Sequence, residues 1–374
     1  MKFVLAPDSF KESMTSMEAC LAMERGIKKV FEDAECIKVP MADGGEGTVD
    51  ALVNATDGEF VEVEVTDPLG RRNNARYGIL GDGNTAVIEM AKASGIELIK
   101  REERNPYITT TYGTGELIKD AVNRGIKHIL IGIGGSATND AGAGMLQALG
   151  VKLLDSEKQE IPFGGASLEK VEYIEKGNID ELLKDVTIEV ACDVTNPLVG
   201  ENGASHIFGP QKGATPEMVE VLDNNLRHFA SKVNEVLGID IANAAGSGAA
   251  GGLGGALLAF LDAELKSGID LVIKYTNLED KVKDCDYVFT GEGAIDGQTI
   301  FGKTPMGVLK VGNKHNIPVM AFAGKVDPES SNLYDEGMNS IHCIMRGVEN
   351  LDDALKNGSS NLERTTESVV RILR

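Results

Sequence analysis

The sequence predicts an α/β protein in which one parallel-sheet domain is assembled from both ends of the chain. Two observations carry this. Short apolar runs alternate with helical periodicities at the start of the chain, and the same alternation resumes after Asp280. Between them the pattern changes to a mixture of hairpin signals, strands and helices.

The elements follow in order. "KFVLAPD" is a short apolar run closed by Pro7 and Asp8, which predicts a buried strand. In "TSMEACLAMERGIKKVF", Thr15 and Glu18 have capping-box spacing, and Met17, Cys20, Leu21, Ile27, Val30 and Phe31 recur at helical spacing. "ECIKVPMAD" reads as the second strand and "GEGTVDALVNAT" as a helix after the Gly44–Gly45 pair. "EFVEVEVTDPLGRRNNARYGIL" alternates by twos around a "DPLG" turn, the pattern of a hairpin. Then come "AVIEMAKASG", "TGELIKDAVNRG", a strand in "KHILIGI", a helix near 141–149 and a strand in "VTIEVACD". An amphipathic helix is expected around 216–237, and the glycine-rich "AAGSGAAGGLGGALLAFL" leads into another.

Beyond Asp280, "DYVFTGE", "IPVMAFAG" and "SIHCIM" read as strands. "PMGVLKVGNKH" and the C-terminal "NLDDALKNGSSNLERTTESVVRIL" read as helices. With the two N-terminal strands this makes five, the count of a flavodoxin-like sheet. The expected architecture is a flavodoxin-like parallel-sheet domain from 1–57 plus 283–374, with a second α/β domain inserted at 58–282.

Composition narrows the function. The 374 residues are 42% hydrophobic and 25% charged, which suits a globular protein with a large core. Lys plus Arg number 37 against 58 Asp plus Glu, a formal net charge of −21. Such a chain gains nothing from counterion release, so no nucleic acid and no anionic membrane is expected as a partner. The five cysteines form no C-x-x-C pair, and the five histidines no H-x-H or H-E-x-x-H spacing, so a zinc site is not expected. "MKFVLAPDSF" turns polar too early for a signal peptide, and buried thiols in the cytoplasm are the expectation.

In an open parallel sheet, ligands bind beyond the carboxyl ends of the strands. Those ends here carry Asp8, then Asp43 and Glu46, then Glu292 and Asp296, with Asp193 closing "VTIEVACD". Each lies in a turn rich in Gly, Pro or Asn, such as "APDSFK", "MADGGEGT", "CDVTNP" and "TGEGAIDGQT". One acidic residue after a strand is commonly a cap or turn former. Acid in every such turn points to a carboxylate-lined crevice that suits Mg²⁺ and deprotonation of a hydroxyl. Counter-charges stand near glycine as Lys11, Lys212 and Lys303, where ammonium and backbone N–H groups converge on anions.

Two loops mimic nucleotide motifs. "GQTIFGKT", 297–304, fits G-x-x-x-x-G-K-[ST], but the strand before it is expected to end near Thr290, far from Lys303, and Pro305 puts the helix start beyond the lysine. "KHILIGIGGSATNDAGAG" runs from a strand through Gly134, Gly135 and Ser136 to a helix capped by Thr138 or Asn139, an arrangement that binds anions. It also fits G-x-G-x-x-[GA] as Gly132, Gly134 and Ala137, with Asp155 downstream, so an NAD-dependent dehydrogenase of a small hydroxy acid is a rival. "AAGSGAAGGLGG" reads either as a further anion nest or as small residues allowing close packing.

The ordered set "APDSFKES", "ADGGEGTVDAL", "TTYGTGELI", "GIGGSATNDAGAGMLQALG", "ACDVTNPLVGENGASHIFGPQKGA", "GAAGGLGGALLAFLDAELKSGIDLV" and "TGEGAIDGQTIFGKTPMGV" spans the chain. It resembles the bacterial glycerate kinase family, type 1. The resemblance implies ATP- and Mg²⁺-dependent phosphorylation of D-glycerate, usually to 2-phospho-D-glycerate, with the 3-position left open. It also implies an active site between a flavodoxin-like domain and an inserted one. A sugar-acid sensor is a non-catalytic alternative, though the chain has no basic helix-turn-helix segment to go with it.

On this resemblance Asp193, Lys11 and Asp43 are the expected catalytic residues, with Asp193 as the base toward the glycerate hydroxyl. Glu46, Glu292 and Asp296 are the expected Mg²⁺ holders, with Asp43 a further candidate. Asp8, Ser9, Gly134, Gly135, Ser136, Thr138, Asn196, Lys212 and Lys303 are expected to bind substrate or phosphate. The expected partners are glycerate and ATP, with a homodimer allowed.

Overall fold

The computed structural model describes residues 1–374. Its strands in chain order are β1 (Lys2–Leu5), β2 (Glu35–Lys38), β3 (Glu59–Thr66), β4 (Arg72–Ile79), β5 (Thr85–Glu89), β6 (His128–Gly132), β7 (Lys152–Leu154), β8 (Tyr173–Glu175), β9 (Thr187–Ala191), β10 (Glu264–Lys266), β11 (Tyr287–Ile295), β12 (Val319–Val326) and β13 (Ser340–Cys343). The chain forms two compact units, Met1–Asp57 with Ser267–Arg374, and Gly58–Lys266.

The first unit holds a five-stranded, wholly parallel sheet in the order β13-β12-β11-β1-β2. Counted within the unit, this is the 2-1-3-4-5 order of flavodoxin, with its switch point between β1 and β11. The inner strands β1 and β12 are nearly continuous apolar runs because both faces are covered. Phe3, Phe289 and Phe322 line one face, with Phe3 and Phe289 edge-on at 5.3 Å. Helix Ser16–Lys28 packs on helix Gly358–Val370. Thr15 closes the expected capping box with Glu18. The expected single C-terminal helix is two, Leu351–Lys356 and Gly358–Val370, divided at Asn357.

Residues 267–282, expected with the second domain, group with the first unit. Helix Gly268–Tyr275 packs on helices Thr304–Lys314 and Thr48–Ala55. Gly307 makes room for it, since a Cβ there would lie 2.2 Å from Ile269 Cγ1. Sequence periodicity marks the apolar face of such a helix but not the element that covers it.

The second unit holds a six-stranded mixed sheet in the order β10-β9-β6-β5-β4-β3. β3 and β4 form the expected hairpin, from Glu59↔Ile79 to Thr66↔Arg72, and β5, β6, β9 and β10 run parallel. Asp67 closes the hairpin turn by accepting the amides of Leu69 and Arg71, both at 2.8 Å. Helix Pro216–Leu237 has Thr215 as its N-cap and Gly238 in the left-handed region at its end, and buries Leu222, Leu226, Phe229 and Val233 at helical spacing.

Candidate active site

Asp8, Asp43 and Glu292 gather at the carboxyl end of the first unit's sheet. β1 leads into Asp8, whose amide donates to the Gly291 carbonyl at 2.8 Å and so ties the turn to β11. The Asp8 carboxylate accepts from the Ser9 amide at 2.6 Å and from the Thr304 hydroxyl at 2.6 Å. Burial, reinforced by the Asp43 charge, pushes the Asp8 carboxyl up to about 7 against these hydrogen bonds. Asp43 follows β2 and accepts the Gly45 amide at 3.1 Å.

Glu292 lies within β11, not in a turn, because the strand runs on to Ile295. Burial pushes its carboxyl up to about 7; Lys303 and the Thr299 hydroxyl, at 3.0 Å, oppose this, while Asp8 and Asp43 add to it. Burial also raises Asp296, but the Gln298 amide and Lys303 outweigh it and hold that carboxyl below its usual range. Lys303 Nζ reaches the two Asp296 oxygens at 3.2 and 3.4 Å. Glu46 and Lys11 are exposed in their turns.

The donor set bears on Mg²⁺. No three carboxylate, histidine or cysteine side chains are preformed as a metal cage. Mg²⁺ is commonly held by one or two carboxylates, with water and substrate phosphate completing its shell. Asp8, Asp43 and Glu292 fit that incomplete kind of site, the Asp43 charge opposing ionisation of the other two. Among the sequence candidates, Asp296 is ion-paired and Glu46 is exposed.

The second unit places the loop expected to bind an anion at the carboxyl edge of its own sheet. β6 ends at Gly132, and the loop's Gly134 and Gly135 are exposed, with Gly135 in the left-handed region at φ +73°. Ser136 and Thr138 are buried. Lys212 is buried too, and its Nζ donates at 2.7 Å to Ser136 Oγ and at 2.7 Å to the Thr138 carbonyl. Burial pushes the Lys212 amine down to about 7, with Asp140 opposing. Asp193 is exposed two residues beyond β9, the neighbour of β6, so it leaves the same sheet edge. Asn196 follows, and its Nδ2 donates to the Asn202 carbonyl at 2.9 Å.

Several expectations change here. The helix after the loop starts at Ala143 with Gly142 as its N-cap, so neither Thr138 nor Asn139 caps it. A dinucleotide turn opens its helix at once, and this loop does not. Asp155 follows β7, which pairs antiparallel with β8 in a separate ribbon, so it does not end the next strand of the parallel sheet, where the acid of a dinucleotide fingerprint stands. The dehydrogenase reading loses its structural basis.

The glycines of 246–254 serve close packing. A Cβ on Gly251 would lie 2.0 Å from the Thr138 carbonyl oxygen, and one on Gly248 2.1 Å from that of Pro197. In "GQTIFGKT", Lys303 is the N-cap of helix Thr304–Lys314 and its side chain is engaged by Asp296. The loop before it is eight residues, 296–303, and not the longer one expected from a strand ending at Thr290.

Thr304, Thr299 and Asp140 were not singled out from the sequence. Asp140 is fully buried and accepts Thr111 N at 2.8 Å, Thr111 Oγ1 at 2.9 Å and the amides of Gly142 and Gly144 at 3.2 and 3.3 Å. Its signal was present in "TNDAG", where an acid stands between a strand's loop and a glycine-rich helix start.

Comparison with known proteins agrees with this geometry. The glycerate kinase family model matches residues 3–374. The chain is 53% identical to a glycerate kinase of Haemophilus influenzae, over 100% of this chain and 99% of that one. It is 50% identical to glycerate 2-kinase of Escherichia coli, over 100% and 98%. A crystal structure of a candidate glycerate kinase 2 from Salmonella typhimurium LT2 superposes with a TM-score of 0.92 at 49% identity, covering 100% of this chain and 98% of that one. The chain belongs to the glycerate kinase family.

Proposed function

We propose that this protein transfers the γ-phosphoryl group of ATP to D-glycerate, giving 2-phospho-D-glycerate in the cytoplasm. The observation that carries this reading is the placing of Asp8 and Glu292 on either side of the β1/β11 switch point, in a chain of this family. The name of the Escherichia coli relative supports the 2-position.

Phosphoryl transfer needs mainly positioning and charge neutralisation. Asp8, Asp43 and Glu292 would hold Mg²⁺, which when bound offsets phosphate charge. Lys11 and Lys303 neutralise phosphate or the substrate carboxylate, and Ser9 lies two residues before Lys11 in the Asp8 turn. Gly134, Gly135, Ser136 and Thr138 shape an anion-binding loop, with Asn196 supporting the turn that carries Asp193. Asp193 orients the glycerate hydroxyl and accepts its proton.

A coupled ADP-release assay with glycerate and close analogues, followed by NMR of the product, tests the reading. Glycerate-dependent ADP release and phosphorus coupling at C2 are expected. ADP release with another hydroxy acid but not glycerate would overturn it. Asp193→Asn should keep its fold and nucleotide binding while turnover drops about 100-fold or more. Near-normal turnover would remove Asp193 from the base role.

A further inference from the structure

Lys212 differs from the surface lysines, being 2% exposed. Its bonds to Ser136 Oγ and the Thr138 carbonyl form a strut, and both ends of the strut are anchored. At one end is the turn Pro210–Lys212, closed by Lys212 N to the Gly209 carbonyl at 3.0 Å. Gly213, at φ +93°, presses that turn on the Arg104 backbone, where a Cβ would lie 2.3 Å from the carbonyl oxygen. At the other end the loop is pinned from outside. The Ile96 amide donates to the Gly135 carbonyl at 2.9 Å, Thr109 Oγ1 to the Ala137 carbonyl at 2.8 Å, and the Ala137 amide to the Ser94 carbonyl at 3.0 Å. The exposed Gly134–Gly135 turn is what remains to meet a ligand.

We propose that Lys212 is a positioning residue: it fixes the 134–138 loop through Ser136 and Thr138, and thereby sets the anion affinity of the Gly134–Gly135 turn without touching substrate. This rests on the reading of that loop as an anion site. It replaces the direct contact with substrate or phosphate that the sequence led us to expect of Lys212. A neutral amine keeps two N–H donors, the number of acceptors the side chain has here, so the strut survives loss of the proton. The groups facing it are the Ser136 hydroxyl, the Thr138 carbonyl and, through space, Asp140.

The test is a mutant cycle of K212M, S136A and the double variant in the full-length protein. It is read by ADP-release kinetics with glycerate and ATP, and by hydrogen exchange of the loop amides. The wild-type assay establishes the kinase reading first, and exchange reports on the loop whatever the reaction is. K212M should raise the apparent KM of one substrate, or lower kcat/KM, about 30-fold or more, and speed exchange at 134–138 about tenfold. Protection in the five-stranded unit should be unchanged. S136A should show a smaller loss in the same parameter, and the double variant should be no worse than K212M within about twofold, because both act through one contact. Multiplying losses with normal loop exchange would overturn the proposal in favour of direct substrate contact. Wild-type kinetics in folded K212M would also overturn it. If K212M does not fold, wild-type exchange and kinetics in S136A overturn it.

Discussion

Gly268→Ala should disturb Asp43 by contact alone. An ideal Cβ at Gly268 would lie 1.9 Å from the Asp43 carbonyl oxygen, 2.6 Å from its carbonyl carbon and 2.8 Å from Gly44 Cα. Relaxing the shortest of these to an ordinary contact requires roughly 1.5 Å of movement. The atoms met are backbone, so the displacement carries Asp43 with it. Overpacking of this kind costs about 1–3 kcal/mol. Alanine offsets about 0.5–1 kcal/mol of that by restricting the unfolded chain and favouring the helix. The net loss of stability is therefore about 0–2.5 kcal/mol. A catalytic group displaced by about 1 Å costs on the order of 100-fold in rate. Urea denaturation and ADP-release kinetics should thus show a modest stability loss beside a fall in kcat of about two orders of magnitude. Gly347→Ala, where nothing lies within 4 Å, is the control and should change neither. Wild-type kcat in a measurably destabilised Gly268→Ala would refute the argument that Asp43 must be held in place.

Two further predictions concern protonation. Thr304→Val removes a buried hydroxyl that donates to Asp8 at 2.6 Å, and should cost about 1–3 kcal/mol. The hydrogen bond favours the ionised carboxyl, so the loss in urea denaturation should be larger at pH 8.5 than at pH 5.5; equal losses would refute it. For Lys212, burial puts the folded-state value at about 7 against 10.5 for the ordinary amine. Between these values the unfolded chain holds a proton that the folded one lacks, so stability rises with pH across that window and is flat below it. K212M should lack this rise, and a matching rise in K212M would show that Lys212 is not its source.

Much of this was legible in the sequence because local rules and tertiary structure agree. The Thr15–Glu18 box, the hairpin around Asp67 and the apolar strands β1, β11 and β12 each follow from spacing alone. Asp8 and Asp43 were legible as well, since they follow β1 and β2, which are neighbours in one sheet. What was hidden depends on non-local contacts. Whether a lysine is exposed like Lys11 or sealed like Lys212 is decided by distant backbone around Arg104 and Ser136. Helix Gly268–Tyr275 carries the same apolar face whichever unit covers it. β11 runs past Thr290 through two glycines because β12 pairs with it as far as Val326, and "GEGAI" contains no sign of that partner.

The discontinuity of the first unit has a consequence for the order in which the chain can fold. β1 is held between β2 and β11, and β11 begins only at Tyr287. During synthesis, Phe3, Val4 and Leu5 must therefore wait on the order of ten seconds or more for their second neighbour. The Gly58–Lys266 unit can close in that interval around its own sheet. An apolar segment at the N-terminus thus stays open on one side until β11 emerges, and joining the two parts of the sheet depends on one pairing of high sequence separation.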